Sequence, residues 1–513
     1  MKTYLTKGII LLMVLVTFSC SNDDEQPQTP PVVNKAPEIS AQTFTVAEDI
    51  ADDAVIGKVA ATDPENKALT FTLTKNSDAL FELTDTGELS LVAGKKLDFE
   101  TATSYTLSVE VSDGAHKTSA DIKVAVENVA EPFITTWKTT EANETITIGV
   151  TKELTYDYTI DWGDGTIEKN QTTFPSHTYV TANTYTVKVS GKFPSISMNE
   201  GKDAHKLQTI EQWGDIKWKS FYGAFVECNN MIYNAKDVPD LSQVASIAGI
   251  FARCTKFNAD LNDWDVSTIT DMRAVFLGAS SFNGNISNWD VSKVTDMFGM
   301  FGECSKFNGD LSNWDVSNVT NMGGMFSDAT SFTRDLNSWN VSKVTDMTDM
   351  FSSTDSFNGD LSKWDVSNVT KMIRMFINAT SFNGDLSQWD VSNVTEMGQM
   401  FSGATSFNGD VSQWDVSNVT GMPFMFMDAT SFNQDISDWD IQNVISMGSM
   451  LDNTKLSTVN YDALLTKWSA LPNIQSNVIF GVEGLIYCNA ARERINLTDG
   501  KRWRIIGDTS CPR

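Results

Sequence analysis

Histidine is nearly missing from this chain: His116, His177 and His205 are the three copies in 513 residues. Zinc sites and hydrolase triads both draw on imidazole, so a supply this thin and scattered leaves little material for either. Cysteine is scarce too, with six residues. Positive charge is in short supply, 38 Lys and Arg against 66 Asp and Glu, for a net charge of −28. That balance removes electrostatic attraction to nucleic acid or anionic lipid. No glycine-rich phosphate loop is present, and no serine stands in a nucleophile elbow. Carboxylate pairs abound in so acidic a chain, and none is singled out for acid–base work. The chain reads as a non-enzyme.

Long apolar runs are also lacking. "GIILLMVLVTFS", after Lys2 and Lys7, suits a signal h-region rather than a membrane span. With Cys20 directly after Ser19, this segment resembles a bacterial lipoprotein signal, although Thr17 and Phe18 are a loose version of the lipobox. The resemblance implies cleavage of residues 1–19 and lipidation of Cys20; ordinary signal cleavage nearby is the alternative. "SNDDE" resembles the surface-export signal of Bacteroidetes lipoproteins, which implies a lipid-anchored protein of the outer membrane facing the exterior. Residues 20–35 then carry the Pro-rich "QPQTPPVVNK", an extended tether.

Residues 36–130 alternate apolar and polar positions in "TFTLTKN", "GELSLVAG", "SYTLSVEVSDG" and "SADIKVAVENV", the pattern of a β-sandwich. Five ordered motifs, "FTVAED", "VAATDPE", "FELTDTGELS", "LDFE" and "LSVEVSDG", resemble a cadherin repeat. That resemblance implies Ca²⁺ binding by Glu48, Asp98 and Glu100 at the C-terminal end of the module and by Asp63, Glu65 and Asp113 at its N-terminal end. Hard oxygen ligands are what this ion requires. The flanks depart from the pattern: "VENVAEP" replaces the acidic cadherin linker, and only "NKAP" precedes the module. A weak or partial site is therefore expected.

Residues 131–198 form a second β-sandwich. "YDYTIDWGDGT" followed by "SHTYVTANTYTVKVSG" resembles a polycystic-kidney-disease (PKD) domain, with Trp162, Gly163, Asp164, Gly165, His177, Tyr179 and Tyr185 at its signature positions. The glycines suit a tight hairpin and the tyrosines a sandwich core, so the motif is structural.

From about 221 the chain becomes periodic, within a repeat region with an N-terminal cap at 199–455. Trp264, Trp289, Trp314, Trp339, Trp364, Trp389, Trp414 and Trp439 are spaced 25 residues apart, as are the phenylalanines from Phe251 to Phe426. Such a period means stacked supersecondary units, here a solenoid. Met322, Met325 and Phe326 have the spacing of one helical face, with Thr320 as N-cap, and "SFNGDLSNWDV" fits an extended arm. The expectation is a short strand plus a short helix per repeat. The array resembles BspA-like leucine-rich-repeat surface proteins, with residues 456–513 as the C-terminal cap such arrays need. Cys488 and Cys511 share that compact segment, and an exported chain can keep a disulfide, so they are expected to be bridged. The expected fold is thus two all-β immunoglobulin-like sandwiches followed by a 25-residue-repeat solenoid.

The repeated letters read as scaffold. A 25-residue unit cannot bury its own apolar face, and a stacked aromatic hides about 150–250 Å². Aspartates recur in two columns, at Asp310 and Asp315 type positions. Like charges about 4.8 Å apart repel by roughly 1 kcal/mol per pair in water and by roughly 3–4 kcal/mol at an effective dielectric near 20. Asn285 and Asn340 interrupt the columns, so a neutral acceptor suffices and the side chains should bond backbone N–H groups at turns. Variation concentrates between the two methionines of each unit, in a column that includes Arg273, Phe298, Ile373, Arg374, Gln399 and Phe424. Aromatics beside arginines suit a binding patch. The expected function is adhesion or ligand binding at the cell surface, with Ca²⁺ in the first module. The partner would be a host or neighbouring-cell surface protein or a polysaccharide. Glycan capture and a purely structural role are the alternatives.

Overall fold

The computed structural model describes residues 32–76, 79–99, 101–199 and 202–512. The signal segment, Cys20 and Glu100 lie outside the described residues. The chain divides into two compact units, Met1–Val129 and Ala130–Arg513.

In the first unit, alternating residues place one apolar row per strand on an inner face. Gln42–Ala47, Lys117–Glu127, Ser104–Ser112 and Thr70–Lys75 lie side by side in a four-stranded sheet, its first pairing parallel and the others antiparallel. A three-stranded sheet of Gly57–Lys58, Glu88–Leu91 and Phe81–Leu83 completes the sandwich. Between them lie Phe81, Leu89, Leu91, Leu107, Val109, Val111, Ile122 and Val124, all at most 1% exposed.

The second unit begins as a sandwich and continues as an array. Phe133–Lys138 pairs with Thr184–Lys192 on one side and with Leu207–Gln212 on the other. Leu207–Gln212 in turn takes Ile232–Tyr233 in parallel. The sheet of the sandwich therefore passes into the first repeat, and one apolar core runs from Phe133 to Trp503. The "WGDG" hairpin is a structural corner. Gly163 has φ +78°, and a Cβ there would lie 2.4 Å from the Thr186 carbonyl. Tyr179 donates its hydroxyl to the Trp162 carbonyl, and His177 holds Asp164 at 2.8 Å.

Beyond Ile232–Tyr233 the repeats contain, among the described residues, neither the expected helix nor a regular strand. Among the described residues no helix occurs between Leu207 and Ser457, and successive repeats touch through single parallel bridges such as Asp271, Asp296, Asn321 and Asp346. The backbone ledger explains why. In the repeat beginning at Met297, the N–H groups of Met297, Gly299, Phe301 and Glu303 donate to the carbonyls of Asn321, Gly323, Met325 and Ser327 in the next repeat. Those of Met300, Gly302 and Cys304 close turns on Met297, Gly299 and Phe301. Alternate amides thus serve the neighbour and the local turn. Gly299 and Glu303 have φ of 63° and 58°, left-handed values that stop a right-handed helix from propagating. Thr320 is no N-cap: its N–H and its hydroxyl both donate to the Thr295 carbonyl one repeat back.

The C-terminal segment closes the array. Ser457 caps the helix Thr458–Ala470 by accepting from the Asn460 N–H. Buried Asp462 accepts from the backbone N–H groups of Cys488, Asn489 and Ala490. Cys488 and Cys511 are joined, whereas Cys228, Cys254 and Cys304 are free and buried.

Candidate functional site

Most repeated letters are occupied by the stacking itself. Each tryptophan from Trp289 to Trp439 is at most 3% exposed and donates its indole N–H to a carbonyl 28 residues back, as Trp314 does to Ile286 at 3.1 Å. Phe301, Phe326, Phe351 and Phe376 stack in turn, with centroids 5.5–5.6 Å apart. In the aspartate columns Asp310 accepts from the Ser312 N–H and Asp315 from the Ser317 N–H, both at 3.0 Å; Asn285 and Asn340 make the same bond to Ser287 and Ser342. The serine hydrogen bonds hold the Asp310 and Asp315 carboxyls below the usual range. Asparagines add another ladder, in which Asn283, Asn308 and Asn408 receive the backbone N–H of Asn308, Thr333 and Asn433.

The variable column does reach the surface, and it divides. Arg374 is committed to Asp349 through two bonds of 2.7 Å and is half-buried. Ile373, Gln399 and Phe424 line a pocket of about 380 Å³ with Pro423 and Ile445. Ile445, 65% exposed, lies outside the variable column and stands where other repeats carry threonine. Phe424 is 39% exposed and has φ +58°. Its counterparts at this left-handed position are Gly299 and Gly324 but also Ala274, Asp349, Arg374 and Gln399, and a non-glycine residue there is strained.

Arg273 and Phe298 belong instead to a groove at the start of the array. Tyr222, 54% exposed, stands before Gly223, which has φ +59°, as Phe298 stands before Gly299. It is therefore the first member of the same column. The sequence pattern hid it, because Phe225 and Phe251 are 26 residues apart and the register slips there. Two adjoining pockets of about 460 and 470 Å³ share Asn199 and Tyr222, so the groove runs from the sandwich onto the first repeats.

The proposed calcium ligands do not converge as a set. Among the described residues no group of three or more acidic, His or Cys side chains is placed to hold a metal. Glu48 spends its two oxygens on the N–H groups of Phe99 and Val129, each at 2.7 Å, and Asp98 accepts from Thr101. The N-terminal end is different. Asp63 accepts from Glu65 and Lys67 N–H through one oxygen, while its other oxygen is buried without a partner, as is the Asn34 side-chain oxygen. Asn34 donates to Asp113 at 2.5 Å, and Glu65 accepts from the Lys35 N–H. Backbone N–H groups of His116 and then Ala115 hold the enclosed Asp113 carboxyl far below the usual range. Orphaned buried oxygens beside further carboxylates fit a hard cation at this end, and the saturated Glu48 fits one less well.

Two family descriptions match the chain. "Cadherin domain" matches residues 42–127, and "Mycoplasma protein of unknown function, DUF285" matches 219–316, 245–364 and 354–468. The first unit is cadherin-like, and the array consists of DUF285 repeats. Among curated relatives, mouse (Mus musculus) Cadherin-related family member 2 is 32% identical over 115 residues, 22% of this chain and 9% of that protein. Human (Homo sapiens) Protocadherin Fat 1 is 41% identical over 81 residues, 16% of this chain and 2% of that protein. The chain therefore spans less than a tenth of either. Of solved structures, human Mucin-like Protocadherin EC1-2 aligns with 19% of this chain and 56% of that one, at 22% identity and a TM-score of 0.18. Human Protocadherin-24 EC1-2 aligns with 30% and 97%, at 17% identity and a TM-score of 0.19. Among the described residues no helix is long and apolar enough to cross a membrane.

Proposed function

We propose that the protein is a non-catalytic surface lipoprotein for adhesion, anchored through Cys20, with a PKD-like second sandwich and a BspA-like solenoid of DUF285 repeats that presents the binding face. The cadherin-like unit binds Ca²⁺ weakly at its N-terminal end, where Asn34, Asp63, Glu65 and Asp113 would hold the ion and the ion would neutralise their clustered charge. The cadherin-like domain supports a surface role.

One observation carries the adhesion reading. Phe424 sits at a left-handed position, half in solvent, where Gly299 and Gly324 serve other repeats without strain, Asp349, Arg374 and Gln399 place polar side chains, and Phe424 alone places an aromatic ring. Strain retained at the rim of an apolar pocket points to work done by that ring. The partner is a surface protein offering an apolar side chain to the pocket formed with Ile373 and Ile445. The alternative, a surface component with no ligand, draws support from the many repeat residues committed to stacking.

Phe424→Gly separates the two. Fluorescent purified protein should bind intact epithelial or neighbouring bacterial cells saturably, and the variant should lose about tenfold or more in affinity. Its melting temperature should stay level or rise. Equal binding by the variant, or a clear drop in melting temperature, would remove the argument.

A further inference from the structure

The groove between the second sandwich and the first repeats is chemically unlike the Phe424 pocket. Three aromatic rings reach it: Phe174, Tyr222 and Phe298 are 43%, 54% and 51% exposed. Tyr222 and Phe298 occupy the same position three repeats apart, about 14 Å at the spacing of paired strands. Between them stand Ala248, which is small and leaves a trough, and Arg273.

The walls carry four basic and three acidic side chains, although the chain as a whole carries −28. Lys152, Lys202, Arg253 and Arg273 line the two adjoining pockets together with Glu153, Asp203 and Glu227. Arg273 holds Asp271 through two bonds of 2.9 Å, with Asp296 3.9 Å away. Arg253 holds Glu227 at 3.3 Å. An anionic ligand at Arg273 would have to displace Asp271 and would meet Asp296, 3.9 Å from the same guanidinium. A cationic ligand would have to strip Glu227 from Arg253. A neutral ligand breaks neither pair, and the guanidinium N–H groups not engaged by carboxylates remain donors fixed in direction. The Asn199 amide adds a donor and an acceptor at the middle of the groove.

We infer that this groove binds a neutral polysaccharide, with sugar rings lying on Tyr222 and Phe298 and hydroxyls bonding the paired arginines and Asn199. A sugar ring offers an apolar C–H face to an aromatic ring and a hydroxyl edge to polar side chains, and the groove alternates those two surfaces along its length. The inference shares with the proposed function only the exposed location of the array; it does not depend on Phe424.

The test is affinity electrophoresis of the full chain through gels holding dextran, starch, xylan or mannan, with polygalacturonate, heparin and gelatin gels for comparison. At least one neutral polymer should retard the protein, equally at 50 and 500 mM NaCl. Tyr222→Ala and Phe298→Ala should each weaken retardation about tenfold, Tyr222→Phe should retain most of it, and Phe424→Gly should leave it unchanged. Should Tyr222→Ala fail to fold, Phe174→Ala and Phe298→Ala carry the test. Retardation by none of the neutral polymers overturns the inference, as does retardation confined to the acidic gels or to gelatin, loss with salt, or wild-type behaviour of the aromatic variants. Loss of cell binding in Phe424→Gly with glycan binding intact, or the reverse, tells which of the two readings has failed.

Discussion

Trp314 uses its ring and its N–H on different neighbours: the ring stacks with Trp289 at 6.3 Å, and the N–H satisfies the Ile286 carbonyl. The two contributions can be separated. Trp314→Phe keeps most of the apolar area and removes the donor, so it should cost about 1–3 kcal/mol. Trp314→Ala also opens a cavity and should cost about 3–5 kcal/mol. Urea unfolding read by circular dichroism measures both; a negligible cost for Trp314→Phe would mean the indole N–H contributes nothing. At this scale the sequence was highly legible, because register alone shows which letters are scaffold. The Asn substitutions at 285 and 340 likewise point to turn hydrogen bonds rather than metal ligands. Tyr222 was not legible, since a one-residue slip in the period takes it out of its column.

Each repeat is a string of tight turns in which alternate amides of one segment, such as Met297 to Glu303, belong to the next repeat. The Met-x-x-Met-Phe spacing fits a helix equally well when one unit is considered alone. Only the stacked neighbour supplies the acceptors that make turns the better solution, and the left-handed residues at Asp349, Arg374 and Gln399 carry no side-chain signature that announces them. The aspartate columns give this element a pH dependence. Hydrogen bonds from serine depress the carboxyls of Asp265, Asp290, Asp310, Asp315, Asp360, Asp385 and Asp390 in the folded protein. The unfolded chain, with ordinary values near 3.9, takes up protons first as pH falls, so these bonds contribute fully above about pH 4–5 and are lost progressively below it. The melting temperature of the array should therefore be flat from pH 7 to 5 and drop steeply towards pH 2.5. Replacing three of the columns' aspartates with asparagine, which keeps the acceptor as Asn340 does, should flatten that drop. An unchanged acid limb in the triple variant would show that the depressed carboxyls do not govern it.

For the whole molecule, the continuous sheet from Phe133–Lys138 through Leu207–Gln212 to Ile232–Tyr233 makes the second sandwich and the array one cooperative body, while the cadherin-like unit has a core of its own. Calorimetry should resolve two transitions, and calcium should act on one. A ligand that binds only the folded state stabilises it by RT ln(1 + [L]/Kd). With dissociation constants of about 10⁻⁴–10⁻³ M, common for extracellular calcium modules, 10 mM Ca²⁺ supplies about 1.4–2.7 kcal/mol. In a unit this small that is a rise on the order of 10 °C. The transition of Ala130–Arg513 should not move. Asp63→Asn should abolish the shift, because it removes the charge from the orphaned buried oxygen, and should leave the calcium-free transition nearly where it was. Glu48→Gln provides the contrast: it turns one of two acceptor oxygens into a donor and so removes one backbone hydrogen bond, which should lower the calcium-free transition while leaving the calcium shift in place. If Glu48→Gln abolishes the shift and Asp63→Asn does not, the ion sits at the other end of the unit, and the buried oxygens of Asn34 and Asp63 need a different explanation.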